Sequence, residues 1–397
     1  MTSLVPEPLT EDLFDAAWAS IEDSFGAAPH PADRAVERDT VVPERFLVVR
    51  DGAEVVATSG AFPLRMTVPG GAAAPVAGVT WVGVRSTHRR RGLLTTMMAA
   101  LLREAHERGE AFAALWASEA AIYQRFGYGP ASWALQVTVP RGAGVNRQVP
   151  AGGLRRVAPD AAVLAPVHDA VAAVTPGMPA RDDAWWRARL HDAEHSRSGA
   201  SPLQCLVTDD GTGYALYATA MSWSEGRPDG EVRVRELLAA TPDAHARLWR
   251  HLLDLDLTAR TTARVAADDR LLQLLAEPRG AVARVVDGLW VRPVDVGAAL
   301  GARAYAAEVD VVLEVDDAAC PWNAGRWRLS GGPAGAVCAR TTDAADLAVG
   351  AADLGAALLG GTPLRTRAVD ERRPGALAAA STALGAVGAG PYCPMVF

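Results

Sequence analysis

The apolar positions of the chain first recur at helical spacing. Leu13, Ala17, Ile21 and Phe25 lie four apart behind a Thr10 cap signal and two acids, so residues 10–25 are expected as an N-terminal helix with one buried face. Proline-containing sequence over 27–43 breaks the period and reads as a loop or broken helix. Residues 46–50 and 54–62 then flank Asp51-Gly52, the signature of a hairpin, and 64–68 extends its second arm to a Gly70-Gly71 turn. Residues 79–84 are a β-branched and aromatic run suited to a strand inside a sheet. The period changes again at Leu93: Leu94, Met97, Met98, Leu101, Leu102 and Ala105 form one stripe of a helix that Gly109 stops. Residues 111–117 are continuously apolar, a second buried strand parallel to the first across that helix, and residues 133–139 read as the strand that closes the domain.

A Pro- and Gly-containing linker over 141–153 precedes a second round of the same theme. A strand at 154–157, a helix at 163–173, a Trp-rich helix at 185–190 and strands at 203–208, 214–218 and 232–239 lead to a helix at 244–255. That helix opens on Thr241-Pro242-Asp243-Ala244, acidic and without glycine, with the Asp read as its cap and as a charge that repels an anion. After 287–290 the chain becomes rich in Ala, Gly and Val. Strands are expected at 309–315, 327–329, 336–340 and 346–350, and helices at 353–359 and 374–387. The tail, Pro391-Tyr392-Cys393-Pro394-Met395-Val396-Phe397, is apolar to its last residue and is expected to dock in a groove.

Composition narrows the chemistry. A chain of 397 residues with 50% hydrophobic content predicts two to three globular domains. No apolar run reaches the ~20 residues of a membrane span, and the acidic N-terminus lacks the features of a signal peptide, so a cytoplasmic protein is expected. The net charge of −7 opposes nucleic-acid binding. Cys205, Cys320, Cys338 and Cys393 are scattered with no zinc spacing, no metal site is expected, and His191 and His195 in HDAEH read as an exposed helix surface. All 39 basic residues are arginine. The absence of lysine removes P-loop, Schiff-base and lysine-nucleophile chemistry.

The candidate site lies where strand 79–84 meets the Leu93 helix. The first N–H groups of a helix lack intrahelical partners and carry the positive end of its dipole. Arg89, Arg90 and Arg91 add fixed charge, and Gly92 lets an anion approach the backbone, so the turn reads as a phosphate site. A bare run of three arginines also reads as a solvated patch; its place between strand and helix favours the anion site. Arg89-x-x-Gly92-x-Leu94 resembles the pyrophosphate turn of the GCN5-related (GNAT) N-acetyltransferases, with Leu94 in place of a small residue. The segment HRRRGLL through ASEAAIYQRFGYGPA is similar to the Eis family of these enzymes, whose founding member modifies aminoglycosides.

The resemblance implies an α/β (α+β) protein: a GNAT domain over 1–140, a degenerate GNAT-like domain over 154–288 that binds no cofactor, and a sterol-carrier-protein-like domain over 289–397. It implies acetyl-CoA as acyl donor, a small-molecule amine as acceptor and a homohexamer. Tyr123 matches the family's general acid and the α-carboxylate of Phe397 its general base. Val82, Gly83 and Val84 would pair with the pantetheine arm, Arg89, Arg90, Arg91, Gly92, Leu93, Leu94 and Thr95 would bind pyrophosphate, and Ser118 and Glu119 are the remaining donor contacts. A carboxylate near pKa 3.3–3.7 needs burial or a relaying water to act as a base. A tyrosine in this segment could instead tie down the RFGYG turn through its hydroxyl, a role that suits Tyr128 better than Tyr123. Two positions depart from the family pattern: Trp116 stands for a histidine and Val396 for an acid, which opens the acceptor side to smaller or more apolar amines. Competing readings are a non-catalytic acyl-CoA or lipid-binding module built on the C-terminal domain, and a protein lysine acetyltransferase.

Overall fold

The computed structural model describes residues 4–27, 29–145 and 152–397, and residues 146–151 of the expected linker lie outside them. Three sheets organise the chain. Strands β1 (Glu7–Pro8), β2 (Phe46–Asp51), β3 (Glu54–Thr67), β4 (Ala73–Val84), β5 (Phe112–Trp116) and β6 (Gly129–Pro130) belong to the first, with helices α1 (Phe14–Ser24), α2 (Pro31–Thr40), α3 (Leu93–Glu107) and α4 (Ala120–Gln124) around it. The second contains β7 (Trp133–Pro140), β8 (Leu154–Val157), β9 (Gln204–Thr208) and β10 (Gly213–Ala220). A short ribbon, β11 (Trp223–Ser224) with β12 (Arg227–Pro228), interrupts it before β13 (Gly230–Ala239), β14 (Thr258–Ala266) and β15 (Val282–Asp287) complete it. Its helices are α5 (Ala161–Ala172), α6 (Asp183–Leu190), α7 (Pro242–Leu253) and α8 (Leu271–Leu274).

The chain then returns through β16 (Leu289–Pro293) to the first sheet before building the third. That sheet holds β17 (Val309–Asp316), β18 (Gly325–Gly332), β19 (Gly335–Arg340), β20 (Leu347–Gly350) and β21 (Asp370–Glu371), with α9 (Val296–Gly301), α10 (Ala351–Ala357) and α11 (Ala376–Ala383) beside it.

One strand assignment is corrected. The strand expected to close the first domain, β7, lies in the second sheet between β14 and β15, with Val137 opposite Ala263 and Ala283. Its place is taken by β16, antiparallel to both β5 and β6, with Trp290 opposite Leu115 and Pro130. The burial patterns give the reason. Both are inner strands of their sheets, but all five residues of β16 are buried, so it suits a sheet covered on both faces, whereas β7 is buried only in part and suits one with a face left partly open. The exchange welds the domains, because each sheet needs a strand from beyond its own segment.

The N-terminal helix also differs in its face. A 3₁₀ turn at Glu11–Leu13 precedes α1, and Phe14, Ala17, Trp18 and Ile21 are its buried apolar residues. Phe25 falls beyond the helix end and is 62% exposed. The stretch expected as a loop or broken helix contains α2, with Pro31 at its first position and a His30 ring nitrogen accepting from Ala32 N–H at 3.2 Å. No residue of α2 is fully buried, and Glu37 is half-buried.

Candidate active site

The site begins with a bulge in β4. Thr58 pairs with Gly83 and Gly60 with Thr80, so β4 carries one residue more than β3 over this stretch, and Trp81 takes a left-handed φ of 51°. Two neighbours hold it there. Thr58 Oγ1 donates to Trp81 O at 2.7 Å, and the Phe46 ring packs edge-on against the Trp81 ring at 5.2 Å. Gly60 makes room for Phe46, since a β-carbon there would lie 2.1 Å from the ring. Ahead of the bulge the parallel neighbours already part. β4 and β5 pair only at Val76–Phe112, Ala77–Ala113 and Gly78–Ala114, and Trp81 and Val82 have no register partner on either flanking strand.

Two clefts open from this split. The first, about 700 Å³, is lined by Val82, Gly83 and Val84 of β4, by Arg89, Arg90, Gly92, Leu93, Leu94 and Thr95 at the start of α3, and by Ser118 and Glu119 after β5. Of the residues expected to hold the donor only Arg91 is absent from this lining; its guanidinium turns back and donates to Thr87 O at 3.3 Å. Gly92 caps α3 with φ 83° and ψ −3°, and open space surrounds the position where its β-carbon would be. The helix ladder begins with Thr96 N–H to Gly92 O at 3.1 Å, which leaves the N–H groups of 93–95 ahead of it. His88, which also lines the cleft, is hydrogen-bonded to Asp51 at 3.1 Å and ties the turn to β2. Arg125 also lines this cleft and was not anticipated.

The second cleft, about 610 Å³, lies on the other side of Tyr123. Val79, Thr80, Trp81 and Val82 of β4 face Trp116, Ala117 and Ser118 across it, and Val396 and Phe397 of the tail close one end. Phe25, Val82, Ser118 and Tyr123 line both clefts, so the tyrosine stands at their junction. Tyr123 is 5% exposed. Burial raises its phenol above the ordinary value, a hydrogen bond with Ser118 opposes this, and the Glu119 charge adds to the rise. The following turn is pinned by Arg292 of β16, which donates to Phe126 O at 2.6 Å and pairs with buried Asp317. The hydroxyl of Tyr128 has no hydrogen-bond partner, so the expected tie through that group is replaced by an arginine from another part of the chain.

Sequence reasoning missed the acidic wall of the second cleft. Glu22 of α1 and Asp33 and Glu37 of α2 line it, and they restore negative charge that Trp116 and Val396 were expected to remove. The i, i+4 spacing of Asp33 and Glu37 could have revealed a shared helix face. Burial raises the Glu37 carboxyl and the Glu22 charge adds to it; Glu22 is raised by burial and then by Asp33. The second domain contributes Trp185, Ala188 and His191. His191 and His195 lie beyond the end of α6 rather than on one helix, and their Nε2 atoms are hydrogen-bonded to Asp33 at 2.8 and 2.9 Å. Ligand-type atoms of His30, Asp33 and His195 fall within 4.8 Å of one another, a grouping accounted for by the Asp33 bonds and by the His30–His195 ring stack at 3.6 Å.

The equivalent turn of the second sheet is closed. Thr241, rather than Asp243, caps α7, accepting from Ala244 N–H at 3.2 Å; Pro242 offers no N–H, and Asp243 is paired with Arg247 at 2.7 Å.

Family models described as acetyltransferase (GNAT) domains match residues 6–131 and 177–293, and a sterol carrier protein domain matches 296–394. An uncharacterized N-acetyltransferase of Streptomyces coelicolor is 45% identical over 96% of this chain and 97% of its own. The N-acetyltransferase Eis of Mycobacterium tuberculosis is 37% identical over 94% and 93%. Among solved structures, Eis1 from Mycobacterium abscessus superposes with a TM-score of 0.86 at 30% identity, covering 99% of this chain and 100% of that one. A GCN5-related N-acetyltransferase from Anabaena variabilis shares the fold at 20% identity and a TM-score of 0.84, with 99% of each chain covered. Among the described residues no helix is long and apolar enough to cross a membrane.

Proposed function

The chain belongs to the Eis family of GNAT N-acetyltransferases, and from that premise we propose that it transfers the acetyl group of acetyl-CoA to a primary amine bound in the acidic, aromatic cleft. The observation that carries this reading is the position of Tyr123 at the junction of an anion-suited cleft and a cation-suited one. The donor diphosphate would sit on the turn 89–95 and its pantetheine arm along Val82–Val84, leaving the thioester beside Tyr123. The amine nitrogen attacks the thioester carbon and its proton passes to the Phe397 carboxylate, directly or through a water. As the carbon–sulfur bond breaks, the leaving thiolate takes the proton of Tyr123. Burial keeps the tyrosine protonated, and the same dry surroundings raise the basicity of the departing thiolate, whose ordinary value near 8.5 lies below that of a phenol, so that it can take the proton.

Glu22, Asp33 and Glu37 favour a polycationic acceptor such as an aminoglycoside. Phe62, Trp81, Trp116, Trp185 and Phe397 on the facing walls favour a second reading, an amine with one charge and an aromatic or apolar body. Homohexamer formation and a cytoplasmic location are part of the proposal; Val282 and Val285, 68% and 63% exposed on edge strand β15, are consistent with a covered surface in an assembly. Thiol release from acetyl-CoA is measured with kanamycin, 2-phenylethylamine and a lysine-containing peptide. Turnover with kanamycin supports the first reading, turnover with phenylethylamine alone the second, and acetylation of the peptide alone makes the protein a lysine acetyltransferase. No thiol release with any of them rejects small-amine transfer.

The acidic wall gives a prediction of its own. Glu37→Gln raises the KM of a cationic acceptor about tenfold, roughly 1.4 kcal/mol, and leaves that of acetyl-CoA unchanged. Because burial and the Glu22 charge raise the Glu37 carboxyl, acidification protonates it above the ordinary glutamate range. The stability linked to this raised group is present at low pH and is lost as pH rises through its folded-state value. The same protonation removes counter-charge from the cleft, so acceptor KM climbs as pH falls. A pH series of KM in which the Glu37→Gln enzyme has the same slope as the parent would remove Glu37 from acceptor binding.

A further inference from the structure

Residues 391–397 form neither helix nor strand, yet the tail is anchored along its length. Gly390 N–H donates to Asp268 Oδ2 at 2.8 Å, Tyr392 N–H to Pro176 O at 2.9 Å, and the Tyr392 hydroxyl to Arg264 O at 2.8 Å. Cys393 and Met395 are buried. The Trp116 indole N–H then donates to Met395 O at 2.9 Å, and the Arg264 guanidinium lies over the same indole, 4.6 Å from its centroid. Past these contacts the Phe397 ring rests on β4, where a β-carbon on Gly78 would meet it at 3.3 Å.

Pro176, Arg264 and Asp268 all belong to the segment that builds the second sheet. We infer that this second domain, whose own phosphate turn is filled by its cap and proline, serves as the clamp that sets the position of the C-terminal carboxylate, with Trp116 and Arg264 as positioning residues. The inference rests on the reading of that carboxylate as the base. A terminal carboxylate is a useful base only when held within hydrogen-bond reach of the amine or its water, and an irregular tail has no backbone ladder to hold it. Arg264 orients the indole by a cation–π contact, and the indole N–H, a donor at any pH, fixes the carbonyl two residues before the chain end. A histidine at position 116 would offer a donor that depends on tautomer and charge.

The experiment is a double-mutant cycle read by thiol release, with whichever of kanamycin or 2-phenylethylamine turns over. Removing Phe397 is expected to lower kcat about tenfold, since the new terminus at Val396 still bears a carboxylate roughly 3.3 Å short. Trp116→Phe and Arg264→Met each lower kcat about fivefold with the KM of acetyl-CoA unchanged, Arg264→Lys restores part of the loss, and the effect of Arg264→Met on kcat shrinks to about twofold or less in the chain lacking Phe397, whose shorter terminus is already out of place. Arg264 lies outside the acceptor cleft, so its variant separates positioning from acceptor contact, and thermal unfolding checks that each variant is folded. Full kcat in both variants, or equal losses in both backgrounds, rejects the clamp and leaves the base in place. An unchanged kcat on removal of Phe397 itself rejects the base and the clamp with it.

Discussion

Replacing Tyr123 by phenylalanine lowers kcat roughly a thousandfold and leaves the KM of acetyl-CoA within about twofold, the signature of an interaction made in the transition state alone. The substitution removes one oxygen. The ring stays in its slot, 5% exposed and edge-on to Tyr128 at a centroid separation of 6.1 Å, so packing is preserved. In the proposed mechanism, what disappears is the proton delivered to the departing thiolate. Burial is the first cause of the raised phenol and the Glu119 charge supports it against Ser118, so the group is neutral and able to donate at every pH below its folded-state value. The stability linked to it is fully present below the ordinary tyrosine value of about 10 and is lost only as pH rises through the raised one. The kcat of the parent enzyme should therefore show no alkaline decline from this group before about pH 10. Steady-state thiol release over pH 6 to 10 tests both statements, and a Tyr123→Phe enzyme retaining a third or more of kcat would move the acid elsewhere.

The second large effect is on donor affinity. Gly92→Asp weakens acetyl-CoA binding about a hundredfold while the protein stays folded. The left-handed φ of 83° costs a non-glycine residue about 1–2 kcal/mol, and aspartate is among the residues that tolerate it best. No protein atom lies within 4 Å of the new β-carbon, so the protein itself raises no clash. The side chain projects into open space at the N-terminus of α3, where the proposed mode of binding puts the diphosphate, and two unit charges about 4 Å apart repel by about 4 kcal/mol at an effective dielectric of 20. Screening at this exposed turn reduces that to about 2–3 kcal/mol. Gly92→Ala, which adds volume without charge, loses far less, and the gap between the two closes as salt is raised. Calorimetric titration with acetyl-CoA at two ionic strengths measures this; equal affinities for parent and Gly92→Asp would place the diphosphate elsewhere.

Local pattern carried much of the molecule. The switch from a β-branched run to a three-and-four spacing at Leu93, with arginines and a glycine between, identified β4, α3 and the turn joining them, because helix and strand periodicity and the φ of a glycine are properties of neighbouring residues. The same holds for the Asp51-Gly52 hairpin and for Tyr123 beside the split, which a family resemblance could reach by matching residues. Thr241-Pro242 was visible too, although which residue caps α7 was not: only the geometry gives the cap to Thr241 and hands Asp243 to Arg247.

Tertiary structure decided whatever depends on residues distant in the chain. The exchange of β7 and β16 between sheets follows from which strand is buried on both faces, and that is settled by neighbours more than a hundred residues away. The bulge at Trp81 has no local turn residue to announce it; it is held by Thr58 and by the Phe46 ring in the space Gly60 leaves. The acidic wall arises because α2, a helix with no fully buried residue, is held by Asp15 of α1, Arg187 of α6 and the histidines that follow it. Sequence determined which groups could bind an anion and give up a proton. Only the folded chain decided what lies opposite them, since the tail, the second domain's arginine and a tryptophan on the first sheet meet by long-range packing that no short-range periodicity encodes.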